Sequence, residues 1–110
     1  MNIDDLSAFG AKTEEGVGRC MGNEDFYLRM VDKMKNDKNF AALKTALAEN
    51  DLDAAFDAAH NLKGSLGNLA ITPLYEPMSE VTELLRSRTD MDYAPLMDNI
   101  ESKWEEFCAL

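Results

Sequence analysis

The fold is decided by residues 52–69, which read LDAAFDAAHNLKGSLGNL. Apolar side chains recur in this stretch at intervals of three and four residues, the spacing that lines one face of an α-helix. That apolar face consists of Leu52, Ala55, Phe56, Ala59, Leu62, Leu66 and Leu69. Asp51 stands just before it and is a residue type that commonly caps a helix N-terminus. We therefore expect one long amphipathic helix whose apolar face lies in the core of the protein.

Helical spacing also continues towards the N-terminus. The pattern predicts a helix from Asp25 to Lys35 capped by Asn23, and a second helix that starts near Asp37. Before these helices, four glycines fall between residues 10 and 22. Because glycine costs about 1 kcal/mol relative to alanine inside a helix, we expect only short helices in this N-terminal part.

Two further helices are predicted towards the C-terminus. One should begin at Thr72 and Pro73, since proline suits the first turn of a helix. Pro77 is expected to bend that helix or to delay its start, because proline lacks a backbone N–H donor. The last helix carries Leu96, Ile100, Trp104 and Phe107 at helical spacing.

Short connections between successive amphipathic helices make neighbours antiparallel. The pattern therefore predicts an all-α protein, an up-and-down four-helix bundle with additional short N-terminal helices. The main helices should lie between Lys38 and Phe107, with the helix from Asp25 to Lys35 packed across or beside them. No stretch alternates apolar and polar residues as a half-buried strand would.

Length and charge limit the function further. The chain has 110 residues and a formal net charge of −10, which suits a single domain spanning residues 1–110. So acidic a chain should be repelled by phosphate backbones and anionic lipids, which makes nucleic acid and membrane surfaces poor partners. No apolar run approaches the roughly 20 residues of a membrane span, and residues 1–10 lack the features of a secretory signal. We expect a cytoplasmic monomer.

Residue types that hold metals, nucleotides or disulfides are sparse. The chain contains two cysteines, Cys20 and Cys108, and one histidine, His60. The cysteines are expected to stay thiols in a reducing cytoplasm and to act as small apolar residues, and no spacing typical of a metal site is present. No glycine-rich nucleotide loop occurs either. We therefore predict no metal, no cofactor and no ATP-dependent enzyme activity.

The most informative residues form a strip beside the apolar face of the central helix. At about 100° per residue, His60, Lys63, Gly64 and Gly67 fall on that strip. Two glycines there would remove side chains that could shield the imidazole, and Lys63 could place an ammonium beside a group attached to the ring. Neutral imidazole is a nucleophile near physiological pH. The strip therefore favours an exposed histidine that carries a phosphoryl group.

Simpler interpretations of the same residues stay open at this point. A histidine at a helix edge can be an ordinary half-buried polar side chain, and glycines can serve only to bring helices close together. Asp57 lies one turn before His60 and could orient its ring by a hydrogen bond, although a solvated surface carboxylate is the simpler interpretation.

Residues 58–69, AAHNLKGSLGNL, resemble the active-site helix of histidine-containing phosphotransfer (HPt) domains, in which the histidine is followed by an apolar residue, lysine and glycine, with a small residue one turn later. The resemblance covers most of the chain, including Gly22 and Asn23 before an aromatic-rich helix. It implies that His60 is the phosphoacceptor, that Lys63 interacts with the phosphoryl group, and that Gly64 keeps the approach clear. Gly67 matches the small position. Asn61 and Ser65 border the site by the same comparison.

The resemblance also implies the partners. Such domains accept a phosphoryl group from the aspartate of a response-regulator receiver domain, or from a hybrid or sensor histidine kinase, and pass it to another receiver aspartate. The receiver domains bring the magnesium ion and the acidic pocket. The alternative is a non-catalytic helical adaptor that binds receiver-like signalling proteins through the same surface. An autonomous kinase or hydrolase is disfavoured because the chain has no nucleotide loop.

Overall fold

The computed structural model describes residues 1–110 and consists of seven α-helices joined by short loops, with no strand. The helices are α1 (Ile3–Phe9), α2 (Thr13–Arg19), α3 (Glu24–Lys35), α4 (Lys38–Ala48), α5 (Leu52–Asn68), α6 (Thr72–Arg86) and α7 (Ala94–Cys108). The all-α prediction is confirmed, and the N-terminal glycine-rich part forms short helices as expected.

Three of the helices begin at the capping residues predicted from the sequence, and a fourth, α1, is capped by Asn2. The Asn23 side chain accepts a hydrogen bond from the backbone N–H of Phe26 at 3.0 Å, at the start of α3. Asp37 caps α4 and Asp51 caps α5 in the same way, at 2.8 and 3.1 Å. Each cap satisfies a backbone donor that the first turn of a helix leaves without a partner, so the helix starts are encoded locally.

The start of α6 agrees with the prediction, and one of the two effects expected of Pro77 is excluded. Pro73 lies in the first turn as expected, and α6 runs from Thr72 through Pro77, so Pro77 does not delay the start of the helix. The bend, which was the other expected effect, stays a prediction. Proline at this position removes one backbone hydrogen bond. The helix also buries Leu74, Met78 and Val81 completely, and packing of an apolar face supplies most of a helix's stability in proteins.

Helices α4 to α7 form the four-helix bundle. Successive helices pack against each other, and their connections are short, with only residues 49–51 and 69–71 on either side of α5. Contacts between α4 and α7 close the bundle: the rings of Phe40 and Trp104 stack with centroids 4.4 Å apart, and Lys44 Nζ lies 2.6 Å from an oxygen of Glu101. Short connections between packed neighbours give the up-and-down arrangement.

The N-terminal helices are attached to the end of the bundle at which α5 stops and α6 begins. The Tyr27 hydroxyl donates to the carbonyl of Leu69 at 2.8 Å, and the backbone N–H of Lys12 donates to the carbonyl of Ala70 at 2.9 Å. Gly16 permits this close approach, because a Cβ there would lie 2.4 Å from Tyr27 Cε1. Helices α2 and α3 therefore hold the C-terminal end of α5 in place.

None of the seven helices has the length and apolar character needed to cross a bilayer.

Candidate functional site

Helix α5 has a buried face and an open face. The buried face consists of Ala55, Ala58, Ala59, Leu62 and Leu66. His60, Asn61 and Gly64 are exposed on the other side. The apolar face differs from the predicted one in its first half, because Leu52 and Phe56 are only partly buried and Ala58 is buried instead. Phe56 therefore lies at the margin of the core, one turn before His60.

The His60 ring is held by an aromatic contact alone. Its ring and that of Phe56 lie with centroids 5.6 Å apart and planes 23° from parallel. The imidazole makes no hydrogen bond within the chain, and Asp57, which could have supplied one, is exposed and does not. Both ring nitrogens are therefore available to an approaching partner.

The two glycines of the strip have different surroundings. A Cβ added at Gly64 would meet nothing within 4 Å, so the space beside His60 is open there. A Cβ at Gly67 would lie 3.1 Å from Cε2 of Tyr75 in α6, which is tighter than ordinary contact. Gly64 fits the role of clearing an approach, whereas Gly67 permits close packing of α5 against α6.

Lys63 is the cationic residue of the strip; its side chain is 25% exposed, and its Nζ is 3.5 Å from Oε1 of Glu83. Glu83 also pairs with Arg86 Nε at 3.3 Å. A hydrogen bond from Arg86, with the charges of Arg86 and Lys63, lowers the pKa of the Glu83 carboxyl. Because such ion pairs near the surface are weak, the Lys63 ammonium can exchange Glu83 for another anionic group.

A shallow depression next to His60 gathers residues from three helices: Arg19, His60, Lys63, Gly64, Gly67, Asn68 and Tyr75. Arg19 belongs to α2, where it pairs with Glu15 at 2.6 Å and donates to the carbonyl of Gly67. The spacing pattern gave no signal for Arg19 or Tyr75, because both reach the site only through tertiary packing.

Asn61 and Ser65 do not line this depression. Asn61 is exposed elsewhere on the helix surface, and Ser65 lines a separate depression that it shares with Met30 and Met34 of α3. Of the residues predicted to form the site, the structure brings His60, Lys63, Gly64 and Gly67 together.

Two arginine side chains lie against the ring of Phe56. The guanidinium carbons of Arg86 and Arg88 lie 5.0 and 4.9 Å from the centroid of the Phe56 ring. These two arginines therefore lie beside Phe56, and Lys63 lies beside His60, in a chain whose net charge is −10. Helical spacing within α5 did not predict that these arginines lie near the site, because they follow His60 by 26 and 28 residues.

The structure contains no cluster of three or more histidine, cysteine or carboxylate side chains that could hold a metal ion. Cys20 is buried and Cys108 is exposed, and both are free thiols. What the strip offers chemically is one nucleophilic imidazole on a rigid helix, open space beside it at Gly64, and a lysine one turn along. That combination suits transfer of an anionic group between His60 and a protein partner.

Comparison with known proteins agrees with this chemistry. The family model described as the Hpt domain matches residues 33–109, which is more than half of the chain and includes the whole of the strip. Searches of the curated proteins and of the solved structures gave no significant match.

Proposed function

Because the chain belongs to the Hpt domain family, we propose that it carries phosphoryl groups in a phosphorelay on His60. The family makes it a phosphotransfer carrier of two-component signalling. The proposal adds that His60 accepts the group from a receiver-domain aspartate, or from a histidine kinase, and passes it to a receiver aspartate. The observation that supports it best is the exposed imidazole beside the open space at Gly64.

The transfer step needs little from the carrier beyond a positioned nucleophile. The lone pair of a neutral imidazole nitrogen attacks phosphorus, an N–P bond forms, and the bond between phosphorus and the aspartyl oxygen breaks. The electron pair of that bond returns to the aspartate carboxylate, and the reverse step loads the next receiver. Catalysis of such transfers rests mainly on positioning and on stabilising charge, and helix α5 provides the rigid support.

Lys63 is assigned to the second task, since its ammonium can turn from Glu83 towards the phosphoryl oxygens. We expect Lys63→Ala to slow phosphotransfer about tenfold, in line with the loss of one charge-assisted hydrogen bond. The urea midpoint of unfolding should stay nearly unchanged, because the ion pair that is lost is weak. Lys44→Ala is the matched control: it removes the lysine of another ion pair, with Glu101, and should transfer at the normal rate.

The assignment is tested by incubating the chain with a phosphorylated receiver domain from a panel of response regulators. The expected product is a phosphoprotein whose label is lost in acid and kept in alkali, as for phosphohistidine. Binding of receivers without transfer of label would favour the adaptor alternative. Labelling of the purified chain by ATP alone would contradict a carrier that depends on its partners.

The proposed domain spans residues 1–110 and acts as a monomer. The family match begins at residue 33, but the preceding helices bond to the C-terminal end of α5 through Lys12, Arg19 and Tyr27. These contacts support the inclusion of residues 1–32 in the same folded unit as the site.

A further inference from the structure

Phe56 connects the phosphoacceptor to two arginines. Its ring stacks on the imidazole of His60, and the guanidinium groups of Arg86 and Arg88 lie within 5.0 Å of its centroid. Stacked aromatic pairs and cation–π contacts each fix relative orientation as well as adding stability. His60 has no hydrogen bond within the chain, and the Phe56 ring is the aromatic partner against which its imidazole lies.

Two side-chain hydrogen bonds and its backbone conformation fix the position of Arg88 beside Phe56. Its Nε lies 2.7 Å from Oδ1 of Asp53, one turn before Phe56, and its Nη1 donates to the carbonyl of Leu85 at 2.7 Å. Its backbone has a φ of 50°, in the left-handed region that ends many helices. Glycine takes that conformation without strain, whereas an arginine does not. The same conformation occurs at Met21, Asn50 and Ala70 after other helices, so it marks the end of α6 and fixes the point from which the Arg88 side chain extends.

We propose that Phe56 and Arg88 are positioning residues for phosphotransfer: Arg88, anchored on Asp53, holds the Phe56 ring, and Phe56 holds the His60 imidazole in the orientation that reacts. This inference rests on the proposed function, since it assumes that His60 carries the phosphoryl group. In-line transfer requires the attacking nitrogen to point at phosphorus, and an exposed histidine ring rotates easily about its terminal torsion. A ring held beforehand loses less freedom on reaching the transition state.

The test uses phosphoramidate, a small donor that phosphorylates imidazole without a protein partner. The imidazole nitrogen attacks phosphorus, the P–N bond of the donor breaks, and ammonia leaves after taking up a proton from water. Since His60 is the single histidine of the chain, the label reports on this ring alone. We expect Phe56→Leu to slow labelling about three- to tenfold, the range that loss of an aromatic pair implies.

Two further measurements distinguish a positioning role of Phe56 from a general loosening of the fold. Phe56→Tyr keeps the stacked ring and should restore the wild-type rate, while Phe56→Leu should also remove the ring-current shift of the His60 ring protons in NMR spectra. If Phe56→Leu slows transfer from a receiver but leaves phosphoramidate labelling unchanged, Phe56 is a partner contact and the inference is wrong.

Arg88→Gly tests the contribution of the guanidinium to the labelling rate separately from its contribution to fold stability. Glycine relieves the left-handed backbone, so the urea midpoint should hold or rise, while labelling by phosphoramidate should slow about two- to fivefold as the cation–π contact is lost. Asn50→Gly is the control, because Asn50 has a φ of 56° in the turn before α5 and lacks the contact with Phe56. It should leave labelling unchanged. Wild-type labelling by Arg88→Gly would overturn the role of Arg88.

Failure of this inference is distinguishable from failure of the proposed function. If the wild-type chain accepts label from receivers and all variants match it, only the positioning role is wrong. If the wild-type chain takes label from phosphoramidate but from no receiver and no kinase, the carrier role itself is contradicted.

Discussion

Two neighbouring stretches of α5 use glycine for opposite purposes. Around His60 and Gly64 the helix surface is open, and a Cβ at Gly64 would touch nothing within 4 Å. One turn later, Gly67 is pressed against Tyr75, and the carbonyls of Gly67, Leu69 and Ala70 all accept hydrogen bonds from the N-terminal part of the chain. The first stretch is open to solvent, and the second is fixed by the fold.

The contrast shows how one helix can be both reactive and rigid. A phosphoacceptor has to be exposed, but in-line transfer also demands that it be well positioned. His60 is exposed, and Gly64 leaves open space beside it. The nitrogens of the His60 ring make no hydrogen bond within the chain. Rigidity comes from Asp51 at one end of α5 and from the bonds donated by Arg19 and Tyr27 at the other.

Of the two glycine substitutions, the one at the open position should have the larger effect on function, and it should not destabilise the fold. Gly64→Leu places a branched side chain beside His60, and a misplacement of about 1 Å at a reacting centre can cost roughly 100-fold in rate. We expect phosphotransfer from a receiver to fall by about that factor. The free energy of unfolding should rise by about 0.5–1 kcal/mol, because leucine favours a helix over glycine.

Gly18→Leu is the matched control for this experiment. Gly18 also lies within a helix with no atom within 4 Å of an added Cβ, so the same gain in stability is expected with normal transfer. Wild-type transfer by Gly64→Leu would show that the open space is not used by a partner.

Substitution at the packed glycine should damage the fold first. Gly67→Leu forces side-chain atoms into the Tyr75 ring, and overpacking of this kind typically costs about 1–3 kcal/mol of the free energy of unfolding. Urea unfolding monitored by circular dichroism measures the loss as a lower midpoint. If Gly67→Leu proved as stable as Gly64→Leu, the proposed difference between the two glycines would be wrong.

Loss of the hydrogen bond from the Tyr27 hydroxyl to the Leu69 carbonyl should lower the stability of the fold by a smaller amount, and that amount should depend on pH. Burial raises the pKa of Tyr27 from 10.0 to about 12, so the folded chain holds this proton more strongly than the unfolded chain. The stabilisation is complete below about pH 10 and is lost as the pH rises from 10 towards 12. Tyr27→Phe should lower the free energy of unfolding by about 1 kcal/mol at neutral pH.

The measurement compares urea unfolding of the two proteins between pH 8 and pH 11. The difference between wild type and Tyr27→Phe should shrink as the pH rises above about 10. A difference that stays constant across this range would show that the Tyr27 proton does not contribute to holding α3 on α5.

Most of the fold could be predicted from the sequence because helix starts and apolar spacing are local properties. Asn23, Asp37 and Asp51 cap helices as expected, and the strip from His60 to Gly67 lies on one side of α5. Pro77 does not delay the start of α6, which was one of its two expected effects, since the packing of α6 outweighs one missing hydrogen bond.

The surroundings of the site could not be predicted in the same way. Arg19 bonds to a carbonyl 48 residues away, and Arg88 to a carboxylate 35 residues away. Pairs so distant in sequence meet only after the helices have packed. The different environments of Gly64 and Gly67 also depend on Tyr75 in α6, so spacing within α5 assigned both glycines the same role.

The role of His60 is tested most directly by comparing phosphotransfer to the wild-type chain and to His60→Gln from the same phosphorylated receiver domain. Glutamine keeps a polar side chain on the exposed face of α5, so the variant should fold and still bind receivers. We expect acid-labile label on the wild type and none on His60→Gln. Equal labelling of the two proteins would contradict the assignment of His60 as the phosphoacceptor.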